Sequence, residues 1–156
     1  MARRKRAQKR TVLPDPVYNS KKVTKFINRI MRGGKRSKAE RIFYSSMDLI
    51  EERTGKPGID VFNKAIKNTK PSLEVRSRRV GGATYQVPME IREERKQTLA
   101  YRWIISFSHK RSEKKMYERL CNEMMEAANS EGASVRKKEE MHRMAEANKA
   151  FAHFNW

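Results

Sequence analysis

One stretch of this chain reads as strand, tight turn and strand, and nothing else in it reads as a strand. Residues 72–91 place two β-prone runs on either side of Gly81-Gly82. A two-residue Gly-Gly loop supplies the positive φ angles that primed hairpin turns require. That loop sets Val80 opposite Ala83, Arg78 opposite Tyr85 and Arg76 opposite Val87. One face then carries Arg76, Arg78, Tyr85, Val87 and Met89, and the other Arg79, Thr84 and Gln86. A lone two-stranded ribbon is marginal in water. It has no sheet to join, so it packs on helices or projects as an arm. Taken alone, the hairpin fits either a scaffold with solvated arginines or a nucleic-acid surface, where guanidinium pairs with phosphate and planar groups stack on bases.

The rest of the chain is helical in period. Ser20 is placed to cap a first helix with Val23, Phe26, Ile27, Ile30 and Met31 inward, and Lys21, Lys22, Lys25 and Arg29 lie off that stripe. Gly33-Gly34 ends it, and Lys35 and Arg36 follow beside the next helix start, where free backbone N–H groups favour anions. Ser37-Lys38-Ala39-Glu40 has the pattern of a capping box opening a second helix to about Arg53, with Ala39, Ile42, Phe43, Met47 and Ile50 inward. A third helix carries Ile59, Phe62, Ala65 and Ile66, and Pro71 closes it. The fourth, residues 92–109, has the broadest apolar face (Leu99, Ala100, Trp103, Ile104, Phe107) and is expected at the centre of the core. A basic elbow, His109 to Ser112 with Arg111, leads to a fifth helix over 113–128, capped by Ser112. Its stripe is Met116, Leu120, Cys121 and Met124, and Lys114 and Lys115 stand at a helix start, against the dipole unless an anion binds. The sixth helix, about 134–150, has a thin apolar face (Met141, Met144, Ala145, Asn148). The aromatic tail that follows is expected to fold back onto the core, the alternative being a partner's surface. The reading is a mainly α protein: a six-helix, bundle-like domain (20–156) with a projecting two-stranded β-hairpin between helices 3 and 4, preceded by a basic arm (1–19).

Charge narrows the function. The chain of 156 residues has 37 Lys plus Arg against 18 Asp plus Glu, net +19. Solubility alone asks a small domain for a magnitude of about 2–8, so a polyanionic partner is implied. Residues 1–38 hold 14 of the basic residues and a single acid, Asp15. Arg3, Arg4, Lys5, Arg6, Lys9 and Arg10 repel one another and build no core, which fits an arm that orders on phosphate or, as the plainer reading, a solvated or targeting-like tail. Cys121 lies on an apolar stripe and reads as a small buried hydrophobe. His109, His142 and His153 form no metal-ligand spacing with it. No phosphate-cradling loop, dinucleotide fingerprint or nucleophile elbow occurs. Neither an enzyme nor a cofactor is expected, and no apolar run is long enough to cross a membrane.

Three blocks carry a family resemblance. They are Phe26-Ile27-Asn28-Arg29-Ile30-Met31 with Gly34-Lys35-Arg36, then Glu74-Val75-Arg76-Ser77-Arg78-Arg79-Val80-Gly81-Gly82-Ala83-Thr84-Tyr85-Gln86-Val87-Pro88, then His142-Arg143-Met144-Ala145-Glu146-Ala147-Asn148-Lys149-Ala150-Phe151-Ala152-His153-Phe154. In order and spacing they resemble the bacterial-type small-subunit ribosomal protein seven family across essentially the whole chain. Residues 92–97 and 109–120 follow the family only loosely. The resemblance implies six helices with a ribbon between the third and fourth. It implies a primary binder of 16S ribosomal RNA that nucleates assembly of the subunit head, at the subunit interface near the transfer-RNA exit site. Neighbours would be exit-site transfer RNA, upstream message and small-subunit ribosomal proteins nine and eleven, with no membrane and no homo-oligomer. Bacterial members also repress translation of their own message. Carried onto this sequence, ribosomal-RNA contacts fall on the arm (Arg3, Arg4, Lys5, Arg6, Lys9, Arg10) and on Lys22, Lys25, Arg29, Lys35 and Arg36. They continue on Arg76, Arg78 and Arg79 and on Arg111, Lys114 and Lys115. The exit-site element runs from Arg78 and Arg79 through Val80, Gly81, Gly82, Ala83 and Thr84 to Tyr85. The expected location is a cytoplasmic ribosome, with an organellar one left open. The rival readings are a DNA-architectural ribbon, against which the glycine tip counts, and a basic protein on anionic membranes, against which the core-width stripes count.

Overall fold

An amphipathic helix is stable only when its apolar stripe meets another, and the first three helices meet at three phenylalanines. In the computed structural model, which describes residues 10–154, these helices are α1 (Lys21–Ile30), α2 (Arg36–Thr54) and α3 (Gly58–Thr69). Phe26, Phe43 and Phe62, one from each, are fully buried. They meet edge-on with centroids 5.0–5.8 Å apart, and Tyr101 adds a fourth ring 5.1 Å from Phe26. Such edge-to-face pairs contribute about 0.5–1.5 kcal/mol each beyond the area they bury.

The ribbon follows as β1 (Leu73–Val80) and β2 (Ala83–Glu90), then α4 (Glu93–Lys110), α5 (Met116–Ala128), α6 (Gly132–Ala147) and a closing 3-10 segment, Lys149–Phe154. The fold is thus mainly helical with one antiparallel hairpin between α3 and α4, as its periodicities predict. The register is the one set by the glycine pair: Val80 opposite Ala83, Arg78 opposite Tyr85, Arg76 opposite Val87. Gly81 and Gly82 have φ of +57° and +90°, values an L side chain resists.

Helix α4 touches α1, α3, α5 and α6, but α5 packs more extensively, against α2, α3, α4 and α6, and takes the central place expected of α4. The apolar face of α4 is broad because it serves two clusters. Ala100, Tyr101, Ile104 and Ile105 enter the main core; Leu99 and Trp103 join Ile91 in a second, with Phe107 and Met141 packed against it. The second cluster lies under the ribbon root and gives the thin face of α6 its anchor. Cys121 is fully buried in the main core, and burial pushes its thiol up.

Several local expectations are corrected. Ser20 is the N-cap residue of α1, yet its hydroxyl makes no cap bond. The capping box at Ser37 does not form: α2 begins at Arg36, whose guanidinium takes the Glu40 carboxylate at 2.7 Å. Ser112 does not cap α5, which starts at Met116, where Glu118 Oε2 accepts the Lys115 N–H at 3.3 Å. Helix α6 starts at residue 132 and not at about 134. The tail folds back onto the ribbon instead of the core: the Tyr85 ring lies 5.1 Å from both Phe151 and Phe154. Core positions are taken by the helices, and Tyr85 is the apolar surface within the tail's reach.

Turn chemistry at Asp15 ties the leading segment down. Asp15 is buried; its Oδ2 accepts the N–H groups of Val17 (3.1 Å) and Tyr18 (3.0 Å), and its Oδ1 accepts the Tyr44 hydroxyl at 2.7 Å. Burial, then this bond to Asp15, raises the Tyr44 hydroxyl above its ordinary value and keeps it a donor.

A second latch closes the ribbon root. The Ser72 N–H donates to His142 Nε2 at 3.0 Å, which requires an unprotonated ring nitrogen. Burial first, then Lys138, holds this imidazole below its ordinary value. A lowered folded value means the latch is fully present above the unfolded value of about 6.5 and is lost as pH falls through the folded value. Hydrogen exchange at the Ser72 amide, corrected for its intrinsic pH dependence, is expected to lose protection as pH falls below about 6.5. A His142→Gln variant should show no such step.

Candidate nucleic-acid interface

The apolar stripe of α1 faces the core, so Lys25, Asn28 and Arg29 must face away, with Arg32 one turn further on. Beside them runs a stripe of α4 spaced by four: Glu94, Thr98, Arg102 and Ser106, all exposed. Three hollows follow this seam. The first, about 600 Å³, joins Arg10, Lys25, Asn28 and Arg29 to Glu94, Gln97, Thr98 and Tyr101. The second, about 270 Å³, shares Arg29 and adds Arg32, Arg102 and His109. The third, about 190 Å³, shares Arg32 and His109 and adds Lys35, Lys38 and Met116. Among the described residues, seven cations line this band against one carboxylate, Glu94. Low-dielectric walls of one sign focus potential and draw in polyanions.

Two hydrogen-bond relays set its floor. Arg32 Nη2 donates to His109 Nε2 at 3.0 Å. Burial, then Arg32 and Arg119, lowers the His109 imidazole and keeps that acceptor open. The Tyr101 hydroxyl donates to the Lys22 carbonyl at 3.1 Å and accepts from Gln97 Nε2. Burial pushes this hydroxyl up to about 12, so it stays protonated.

The ribbon presents a different surface. Arg79, Gly81, Gly82, Ala83 and Thr84 are exposed, and Val80 is half-buried. Among the described residues no ion pair engages Arg78 or Arg79. Arg76 is partly committed. It and Arg95 flank the buried Glu74, with Arg76 Nη2 at 2.6 Å from Oε1 and Arg95 Nε at 2.7 Å from Oε2. Burial pushes the Glu74 carboxyl up, but the two guanidinium bonds outweigh it and hold it below its ordinary value. Tyr85 is covered by the tail, so its ring is not the open stacking platform the sequence suggests.

The elbow divides likewise. Lys114 and Lys115 are exposed, and the Lys115 Nζ lies over the Tyr117 ring at 5.5 Å. Arg111 turns inward and binds three carboxylates: Glu113 (3.0 Å), Glu123 (3.1 Å) and Glu126 (2.7 Å). Its charge is spent inside the protein. Of the arm's predicted RNA contacts, only Arg10 is described, and it lines the first hollow; Arg3, Arg4, Lys5, Arg6 and Lys9 lie outside the described residues. Lys22 is exposed on α1, and Arg36 is paired to Glu40.

The sequence matches the model of the family described as Ribosomal protein S7p/S5e over residues 2–149. The chain belongs to the ribosomal protein S7p/S5e family. It is similar to proteins named small ribosomal subunit protein uS7: 61% identical to that of Nautilia profundicola over 154 residues, 99% of each chain. To those of Gemmatimonas aurantiaca and Syntrophobacter fumaroxidans it is 58% and 56% identical over all 156 residues, 100% of each chain. The S7p/S5e family is structural and not enzymatic, in keeping with the missing catalytic motifs. Among the described residues no group of His, Cys, Asp and Glu is arranged to hold a metal ion.

In this S7p/S5e chain the structure brings together Arg10, Lys25, Arg29 and Lys35 from the predicted set. It adds Arg32, Arg102, Lys38, Asn28 and Gln97, which sequence reasoning left out. Arg32 had a signal: it continues the spacing of Lys25 and Arg29, but lies past the end of α1. Arg102 lay within a run read only for its core face. Nothing linear pairs α1 with α4, since the Phe26 and Tyr101 contact that joins them spans 75 positions.

Proposed function

We propose that this chain is a structural constituent of the small ribosomal subunit that binds 16S ribosomal RNA directly and nucleates assembly of the subunit head. It lies at the subunit interface near the transfer-RNA exit site. Arg78, Arg79 and the tip through Tyr85 reach exit-site transfer RNA and upstream message, and small-subunit ribosomal proteins nine and eleven are its neighbours, in a cytoplasmic ribosome. The basic arm (1–19) and the helical domain (20–156) grip the RNA together. The observation that carries this reading is the seven-cation band along α1 and α4. Family membership and the net charge of +19 support it. Basic side chains on phosphates release counterions, so affinity falls steeply with salt. Lys114 and Lys115 extend the band at the elbow; Arg111 serves the fold.

The test is competition at matched salt among structured 16S head-domain RNA, duplex DNA and anionic vesicles. The RNA is expected to win, and equal binding to DNA or vesicles would sink the reading. Reversing two band charges, Arg29→Glu with Arg32→Glu, should weaken RNA binding roughly 10- to 100-fold at physiological salt and flatten the salt slope by about two. Arg29 and Arg32 lie on the surface, so melting temperature should barely move.

A further inference from the structure

We propose that Arg95 and Arg76 form a fork for the phosphodiester backbone of the bound RNA, with the buried Glu74 as the residue that positions them. The inference rests on the RNA-binding reading above and adds a site at the ribbon root, outside the hollows of the band.

The balance of charge sets this cluster apart from the one at the elbow. There a single guanidinium, Arg111, serves three carboxylates. At the ribbon root two guanidiniums serve one carboxylate. Neutralising Glu74 needs only one of them, so one positive charge is left over. Burial divides the cluster in the same sense. The Glu74 side chain is 7% exposed, whereas those of Arg76 and Arg95 are 52% and 49% exposed. The carboxylate lies inside and both cations open to solvent.

The donors left over follow from the bonds already made, since a guanidinium carries five N–H groups. Arg95 gives its Nε to Glu74 Oε2 at 2.7 Å, and among the described residues neither of its Nη groups has an acceptor. Arg76 holds Oε1 with Nε at 2.8 Å and Nη2 at 2.6 Å, and its Nη1 has no acceptor among the described residues. Two adjacent guanidiniums with free Nη groups suit phosphate oxygens, which accept paired N–H bonds. Glu74 holds both Nε atoms in advance, so the two long side chains lose less freedom when a phosphate binds. The phosphate also offsets the repulsion between two cations gathered on one carboxylate. Arg78, two residues further along the same face of β1, continues the line toward the ribbon tip.

The experiment uses the full chain and structured 16S head-domain RNA with sparsely ethylated phosphates, so that each neutralised phosphate that interferes with binding is mapped. Arg95→Lys keeps the charge but loses the fork, and should weaken binding about tenfold, with Arg95→Gln at least as weak. A phosphate whose ethylation interferes with the wild type should cease to interfere with R95Q. Glu74→Gln removes a negative charge from a basic protein, so charge alone predicts tighter binding. Loss of a positioning group predicts weaker binding at an unchanged salt slope. In R95Q and R95K the buried carboxylate keeps Arg76, so melting temperature should barely move, and these variants decide the matter if E74Q does not fold. Binding like the wild type by R95K and R95Q, an identical interference pattern for wild type and R95Q, or tighter binding by folded E74Q overturns the inference and leaves a plain ion-pair cluster. Failure of the wild type to bind the RNA overturns the functional proposal instead.

Discussion

Replacing Arg111 with methionine is expected to destabilise the protein by about 3–5 kcal/mol, the cost of leaving a buried charge without its partner. Glu123 is 1% exposed, and its Oε2 accepts Arg111 Nη1 at 3.1 Å while Oε1 accepts the Ser134 N–H at 3.0 Å. Glu113 and Glu126 share the same guanidinium. Without it, three carboxylates face one another at the joint of α4, α5 and α6. Domains of this size have about 5–15 kcal/mol in all, so the variant should be marginal in urea denaturation at pH 7. The acid dependence should also weaken. In the wild type Glu113 is held down to about 2, by Asn122 first and Arg111 after it. Its contribution is therefore present above the unfolded value of about 4.3 and is lost as pH falls toward 2. In the variant Glu113 loses the part of that contribution that Arg111 supplies, so less stability should be lost as pH falls toward 2. Adding Glu123→Gln should recover part of the loss at pH 7. If R111M were as stable as the wild type, the arginine would be a free surface cation after all.

Gly58→Ala is the second large effect, and its sign separates two physical terms. Alanine is the better helix former by about 1 kcal/mol, so propensity predicts stabilisation at this first position of α3. Packing predicts the reverse. A Cβ at Gly58 would lie 2.7 Å from the Met47 carbonyl oxygen and 3.0 Å from Met47 Cα and Cβ. The obstacle is the backbone of α2 at a residue that is itself 1% exposed, so it does not yield like the end of a flexible side chain. Overpacking costs about 1–3 kcal/mol, and here the upper part of that range is expected, read as a fall in the denaturation midpoint at constant slope. An unchanged or raised midpoint would mean that α2 and α3 separate at little cost.

The residues that were legible share a cause. Phe26, Phe43, Phe62, Ile104 and Leu120 fall on stripes whose period is a property of the helix itself, and each is fully buried. The hairpin register follows from Gly81-Gly82 because a two-residue loop leaves no freedom in pairing. The caps were misread for a reason that also lies in the chemistry. At α2 the Glu40 carboxylate had a stronger local partner in Arg36 than the backbone N–H of a capping box.

For the candidate site the division falls between the presence of charge and its disposal. Composition and order alone determine that this chain is basic, that its cations crowd the first quarter, the ribbon and the elbow, and that six helical stripes and one hairpin make its fold. Period, turn geometry and net charge are local or additive quantities. Which cations remain for a ligand was decided by tertiary structure. Arg111 and Arg29 look alike in the sequence, yet one is enclosed by Glu123 and Glu126, 12 and 15 positions later, and the other opens onto a seam with α4. An ion pair depends on distance in space and on the solvent removed around it, and neither exists until the helices have packed.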